Sequence, residues 1–484
     1  MTGLRNMNIT DRGNSMSEYS LLIDGRLVAG ANHMAVINPA NETELAQCPV
    51  ANKEQLDQAV AAAQSAFPGW SQTPIAERQA VLLQVADAIK ANAERVAKVL
   101  TAEQGKPLEQ AAAEVGFAEI FCRHFAAQQL PVEVLLEDDA QRVEIHRKPL
   151  GVVAGIMPWN FPFLIAVYKL APALLAGNCL ILKPAPTTPL TALMLGEIVK
   201  DIIPAGVLNV LADNNTLGPD ITTHPGIAKI SFTGSTPTGK AIMASAAGTL
   251  KRLTLELGGN DAAIVLDDAD PKQIAAGIFG SAFLNSGQVC IALKRLYVHE
   301  SIYDQLCDEL AAMANAAVVG DGSEPGTHFG PVQNKMQFEK VCHYIDSARQ
   351  TGKIIAGGDI PDRPGYYVPI TVVRDIEDGT PLVDEEPFGP VLPVIKYSDL
   401  EDAINRANRS PYGLGGSVWS GNLERAQQIA ARLDSGTVWV NQHCAFGPHI
   451  PFPPAKESGL GVEWGKEGLE EFTAMQVLNI NKAR

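Results

Sequence analysis

The chain has 484 residues, too many for one ordinary core, so two or three domains are expected. Its 46% hydrophobic and 19% charged residues are those of a soluble globular protein, and a net charge of −16 argues against a nucleic-acid or anionic-membrane partner, which would want a basic patch. The seven cysteines (Cys48, Cys122, Cys179, Cys290, Cys307, Cys342 and Cys444) are scattered, so neither a disulfide framework nor a zinc site is signalled, and a reducing cytoplasm is the expected compartment.

Residues 1–18 are polar and Asn/Ser-rich without an apolar core, and they read as a disordered leader, not a secretory signal. Short strands and turns follow over 19–28 and 35–40. Over 53–127 the apolar spacing is helical, in three long segments. Residues 130–147 alternate in β fashion around Glu137-Asp138-Asp139, a hairpin with little core of its own that is expected to project into a neighbouring subunit. The apolar stretch 163–182 is interrupted by Lys169, Pro172, Gly177 and Asn178, and no run reaches the ~18–20 residues of a membrane span.

Residues 151–257 repeat a strand-then-helix rhythm that predicts a parallel, doubly wound sheet. The strands fall at 151–156, 179–183, 207–211, 227–232 and 251–257, with helices at 163–176, 189–202, 216–223 and 236–247. Ligands of such sheets bind at the carboxyl ends of the strands, so the informative residues should follow each strand. After the first comes Met157-Pro158-Trp159-Asn160-Phe161-Pro162, where Asn160 reads as an oxyanion donor or as a turn residue. After the second comes Lys183-Pro184-Ala185-Pro186, a lysine placed to meet a nucleotide or simply to be solvated. After the fourth, Thr233-Gly234-Ser235 opens a helix whose N–H groups and dipole can cradle a pyrophosphate.

A second α/β block runs to about residue 450. Its helices are expected near 271–285, 301–318, 332–350, 400–408 and 422–433, and its strands near 293–298, 353–356, 391–396, 415–419 and 436–441. Residues 442–458 read as a long functional loop, and 474–480 as a β-type tail able to pair with the 130–147 hairpin.

The stretch from Glu256 to Cys290 carries the chemistry. A carboxylate ends an apolar β-type run, the pair Gly258-Gly259 permits close backbone approach, and Gly287-Gln288-Val289-Cys290 presents a thiol after a glycine turn. Singly, Cys290 reads as a small buried hydrophobe and Glu256 as a strand-end charge; as a pair they read as a nucleophile and its base.

Pro158-Trp159-Asn160-Phe161-Pro162, Phe232-Thr233-Gly234-Ser235, Leu255-Glu256-Leu257-Gly258-Gly259, Gly287-Gln288-Val289-Cys290 and Glu386-Pro387-Phe388-Gly389-Pro390 occur in this order. Together they resemble the aldehyde dehydrogenase superfamily, over nearly the whole chain from about Leu21. The resemblance implies an NAD(P)-dependent, non-acylating enzyme. In it Cys290 is the nucleophile, Glu256 the base that activates the deacylating water, Asn160 the oxyanion donor, and Lys169 a proton relay. It places Trp159, Lys183, Gly234, Ser235, Glu386 and Phe388 against the cofactor, with Glu386 at the nicotinamide ribose and Lys340 toward the adenosine.

The fold class is then α/β: two doubly wound, Rossmann-like α/β domains plus a small β oligomerisation element. An NAD(P)-binding domain is expected over 19–129 and 151–257, a catalytic domain over 258–472, and an oligomerisation hairpin and C-terminal strand over 130–150 and 473–484. The implied assembly is a homo-oligomer, dimer or tetramer, and the cofactor NAD, with NADP open. The family's NAD-binding glutamate is replaced by Pro186, its glycine-rich stretch before the late lysine reads Pro453-Pro454-Ala455-Lys456, and an expected arginine is Val462. Phe161, Phe163, Tyr168, Val289, Ile291, Phe446 and Phe452 are expected to face the pocket; they are apolar and no arginine adjoins Cys290, which favours an aliphatic or aromatic aldehyde. His443 and Cys444 are possible neighbours of its mouth. The competing readings are acyl transfer to coenzyme A, against which Glu256 speaks, and a silent scaffold, against which the intact Cys290, Glu256 and Asn160 set speaks. No metal, nucleic acid or membrane is implied.

Overall fold

A computed structural model describes residues 19–483, and the leader expected over 1–18 lies outside them. Four helices, not three, follow the first strands: α1 (Lys53–Gln72), α2 (Ile75–Ala91), α3 (Ala93–Gln104) and α4 (Leu108–Ala126). The breaks have local causes. Pro74 precedes α2, Asn92 separates α2 from α3, and Gly105, at φ 98°, ends α3 in the left-handed conformation before Pro107.

The first sheet has eight strands, in the order Arg26–Val28, Leu21–Ile23, Leu208–Val210, Cys179–Lys183, Val152–Ile156, Lys229–Thr233, Arg252–Glu256 and Gly459–Leu460. The five inner strands are parallel, and the edges at Leu21–Ile23 and Gly459–Leu460 are antiparallel. Their buried side chains and those of α1 to α4 and α5 (Pro162–Leu175) form one core. The chain winds outward from Val152–Ile156 in both directions. The order reverses between that strand and Lys229–Thr233, so a crevice opens at their carboxyl ends.

The second sheet has seven strands, in the order Lys353–Ala356, Thr371–Arg374, Val391–Tyr397, Leu293–His299, Asp261–Val265, Gly415–Trp419 and Thr437–Val440. All but the first pair are parallel, and separate apolar clusters cover the two faces. Asp261–Val265 and Thr371–Arg374 escaped the sequence reading, although the former sits beside the centre of the sheet. The stretch 258–472 is also not confined to this block. Gly459–Leu460 adds to the first sheet, and Phe452, Trp464, Leu469 and Phe472 are buried in the first core.

Glu133–Glu137 and Gln141–Pro149 form the expected hairpin, and Thr473–Asn481 pairs with its second strand from Thr473↔Pro149 to Asn481↔Gln141. Among the described residues, no helix is long and apolar enough to cross a membrane.

Candidate active site

Register brings the site together. Ile156 pairs with Lys183 and with Phe232, and Thr233 pairs with Glu256, so four strands end at one level and their following turns share one rim. The loop 284–290, which carries Cys290, meets this rim from the side of the second sheet. Together they line a cleft of about 870 Å³ that includes Asn160, Glu256 and Cys290, within the size range of ligand sites.

Cys290 is partly exposed and its sulfur unpaired in any disulfide. It follows a tight turn in which Asn285 (φ 52°), Ser286 (φ 56°) and Gly287 (φ 72°) are all left-handed. Such a run is costly for side-chain-bearing residues and persists only when its surroundings hold it. Here Asn285 Nδ2 donates to Asn160 O at 3.0 Å, Ser286 Oγ to Gly330 O at 2.8 Å, and Gln288 Nε2 to Asn285 O at 2.9 Å. A β-carbon on Gly287 would collide with the Gly389 carbonyl, so glycine is required there. Burial pushes the Cys290 thiol up to about 12, opposed by Lys294, whose Nζ donates to Val289 O at 2.8 Å and Cys290 O at 2.6 Å.

Glu256 is 4% exposed, and among the described residues neither carboxylate oxygen has a hydrogen-bond partner. Burial raises its pKa well above the ordinary carboxylate range; Glu463 raises it further and Lys169 opposes. Lys169, completely buried on α5, donates to Ser231 Oγ at 2.8 Å and Glu463 Oε1 at 2.9 Å. Asn160 is buried and donates from Nδ2 to Gln288 O at 2.9 Å, which leaves its second amide hydrogen for the cleft that it lines.

The other end of the cleft holds the residues expected at the cofactor. Trp159, Lys183, Gly234, Ser235, Lys340, Glu386 and Phe388 all line it. Ser235 caps the helix Thr236–Ala246, accepting from Thr238 N at 3.4 Å, and Gly234 N donates to Glu256 O at 2.9 Å. Glu386 Oε1 accepts from Gly259 N at 3.1 Å and faces Lys294 at 3.3 Å. A β-carbon on Gly258 would come up against Glu386 Oε2, so a side chain there would push the Glu386 carboxylate aside. Trp159 and Phe388 meet edge to face at 5.3 Å. Lys340 Nζ donates to Glu386 O at 3.0 Å, and Lys183, buried and not solvated, pairs with Asp213 at 2.6 Å and Asn215 Oδ1 at 3.1 Å. Pro186 also lines this end.

Of the residues expected at the pocket, Phe161, Tyr168, Val289, Ile291, Phe446 and Phe452 line the cleft, as does Cys444. Phe163 does not: the register of α5 turns it into the core, where it is completely buried. His443 is likewise buried, beneath the loop that carries Cys290, bonded to Ser417 Oγ at 2.9 Å and Ile291 O at 3.1 Å. Ala455–Lys456 pairs with Tyr412–Gly413, which places the unusual Pro453-Pro454 segment against the second block.

Glu463, Trp464 and Lys294 were missed. Trp464 stacks on Phe452 at 4.7 Å and meets Tyr168 and Phe446, closing the aromatic wall. The available signal for Lys294 was a pair of cations, Lys294-Arg295, inside an apolar strand; Glu463-Trp464 carried no periodic signal at all.

The comparisons agree with this geometry. The aldehyde dehydrogenase family model matches residues 27–478. A phenylacetaldehyde dehydrogenase of Pseudomonas fluorescens is 40% identical over 480 residues, covering 96% of each chain. A variant of the Bacillus cereus aldehyde dehydrogenase superposes with a TM-score of 0.94 at 35% identity, covering 96% of this chain and 97% of that one. The betaine aldehyde dehydrogenase of Staphylococcus aureus, solved in complex with NAD+, gives a TM-score of 0.93 at 33% identity, covering 97% and 96%. With a family match across nearly its whole length and a cysteine, a buried glutamate and an asparagine gathered in one cleft, this chain belongs to the aldehyde dehydrogenase family.

Proposed function

We propose that the chain oxidises an apolar aldehyde, aliphatic or aromatic, to the free carboxylic acid with NAD+, through a thiohemiacetal and then a thioester on Cys290. One observation carries this reading: in the cleft that presents Cys290, Glu256 is a buried carboxylate with no hydrogen-bond partner among the described residues. Such a group is expensive to keep unless it handles protons.

The residues present fit a nicotinamide dinucleotide. The helix end at Ser235 suits a pyrophosphate, the clearance at Gly258 admits Glu386 to a ribose, and Trp159 and Phe388 offer flat apolar surface. NAD+ in the Staphylococcus aureus structure supports the choice of cofactor. When bound, NAD+ supplies the acceptor for the hydride that leaves the aldehyde carbon.

The Cys290 thiol, neutral while its pKa stands near 12, needs a proton acceptor before it adds to the aldehyde. Solvent in the cleft takes that proton, and Glu256, made more basic by burial, serves the deacylating step. The charge that develops on the aldehyde oxygen is met by the free Asn160 amide hydrogen and the Cys290 N–H. Glu256 then takes a proton from the water that cleaves the thioester and returns it to the Cys290 sulfur, which leaves as the thiol; Lys169, tied to Glu463, passes the proton given up earlier by Cys290 toward bulk solvent.

The substrate end is walled by Phe161, Leu164, Tyr168, Phe446, Phe452 and Trp464, while the cations among the described lining residues, Lys183 and Lys340, belong to the cofactor end. An aldehyde carrying its own carboxylate would meet Glu256 with no cation among the described residues lining the substrate end to receive it. The aromatic substrate named in the Pseudomonas fluorescens relative points the same way. A homo-oligomer joined through the three-stranded sheet, and a reducing cytoplasm compatible with seven unpaired cysteines, complete the reading.

The test is a panel of straight-chain, aromatic and carboxylate-bearing aldehydes, each with NAD+ and NADP+, with and without coenzyme A. Apolar aldehydes should give free acid whether or not coenzyme A is present, with kcat/KM at least ~10-fold above acidic ones. Acyl-CoA as the main product, or a preference for acidic aldehydes, would overturn it.

A further inference from the structure

Lys106 joins α3 to α4 between Gly105 and Pro107, and its side chain is completely buried. A buried ammonium is tolerated only when paired and hydrogen-bonded. Its Nζ meets Glu114 Oε2 at 2.6 Å, a carboxylate that is itself completely buried on α4, and donates to Asn160 O at 2.9 Å. It also lies 3.8 Å from the centre of the Phe161 ring. Burial lowers the Lys106 pKa, and Glu114 opposes that effect.

Glu114 has a second attachment. Its Oε1 accepts from Phe163 N at 3.0 Å and Leu164 N at 3.1 Å, two of the first N–H groups of α5. Phe161, the residue before α5, has no side chain able to cap it, so a carboxylate from another helix does so. One ion pair therefore grips the Asn160-Phe161-Pro162 turn on both sides: the ammonium holds the Asn160 carbonyl and the carboxylate holds the helix beyond. The same carbonyl accepts from Asn285 in the nucleophile loop, and the Asn160 carboxamide donates to Gln288 O. With its carbonyl held by Lys106 and Asn285 and its carboxamide bonded to Gln288 O, Asn160 has little freedom to swing its remaining amide hydrogen.

We infer that Lys106 and Glu114 are positioning residues for the oxyanion donor: their ion pair holds the Asn160-Phe161 turn so that the Asn160 carboxamide addresses the oxygen on the carbon carried by Cys290. This rests on the oxyanion role proposed above for Asn160. Neither residue touches the reacting atoms. Their effect is to keep a donor where charge develops, and a misplacement of about 1 Å in such a group costs on the order of 10²-fold.

A double-mutant cycle in the full chain separates this role from mere stabilisation. Lys106→Met, Glu114→Gln and Asn160→Ala are made singly and in pairs with Asn160→Ala, and kcat, both KM values and thermal unfolding are measured. Lys106→Met should lower kcat about 10²-fold with the KM for NAD+ changed less than about 3-fold. In the Asn160→Ala background the same substitution should cost less than about 3-fold, because the donor it positions is gone. Glu114→Gln, nearly isosteric and still an acceptor for the α5 N–H groups, should show the same coupling with a loss of about 10-fold, and it decides the matter if Lys106→Met does not fold. Equal losses in both backgrounds would overturn the inference and leave the oxyanion reading intact. An Asn160→Ala enzyme with unchanged kcat would remove the oxyanion reading, and this inference with it.

Discussion

At the scale of single residues, Glu256 shows what the site gives up for its chemistry. An acid whose folded pKa stands above its unfolded value keeps a proton that the unfolded chain releases, so its contribution to stability falls as pH rises above the ordinary carboxylate pKa of about 4.3. Glu256→Gln should therefore be more stable than the parent at neutral pH by about 1–3 kcal/mol, seen as a higher unfolding temperature, with the gap closing toward pH ~4. A constant difference across that range in differential scanning calorimetry would contradict the assignment of its pKa. The same substitution should slow turnover by about 10²–10⁴-fold, and the acid limb that Glu256 gives the pH–rate profile should disappear. Cys290, Glu256 and Asn160 were legible because each lies in a short segment whose glycine, proline or asparagine neighbours serve backbone needs: the left-handed turn at Asn285 to Gly287, the clearance at Gly258, the prolines around Asn160. Glu463 was not, because its meaning lies in a bond to Lys169, 294 residues away in sequence.

At the scale of elements, the site is a consequence of strands ending level. Ile156 is level with Lys183 and Phe232, and Glu256 with Thr233 one residue further on, so a short loop after each strand suffices to gather the chemistry. The inner strands of the first sheet were readable as continuous apolar runs separated by helices. Asp261–Val265 was not, because it begins with an acid, contains two alanines and follows Glu256 across only a Leu-Gly-Gly-Asn turn, with no helix to announce it. The helical block divided into four because its breaks depend on single residues such as Gly105. Lys183 and Pro186 carry the prediction that belongs here. Lys183 is already paired with Asp213, so the carboxylate introduced by Pro186→Glu at the cofactor end would be free to accept from a ribose 2′-hydroxyl and to repel a 2′-phosphate. The ratio of kcat/KM for NAD+ over NADP+ should rise at least ~10-fold. An unchanged ratio would show that this position does not read the adenosine ribose.

At the scale of the whole molecule, the three-stranded sheet lacks apolar cover among the described residues. Val134, Leu136 and Val477 are 43%, 41% and 55% exposed, although Thr473–Asn481 is hydrogen-bonded along its length to the hairpin. A sheet so thin and so apolar is stable when a second chain covers it. Leu136→Lys with Val477→Lys should reduce the mass seen by light scattering to that of one chain, and an unchanged mass would place the assembly elsewhere. The hairpin was visible in sequence from its alternation; that the 258–472 stretch returns to the first sheet through Gly459–Leu460 was not, since two paired residues leave no pattern. In the proposed function, binding, activation and release converge on one covalent bond at Cys290. The decisive measurement is the intact mass of Glu256→Gln after a single turnover with an apolar aldehyde and NAD+. The protein should gain the mass of one acyl group, on the peptide containing Cys290, and the gain should vanish in Cys290→Ala. An unmodified protein that still forms acid at the parent rate, or an acyl group on another residue, would contradict the account.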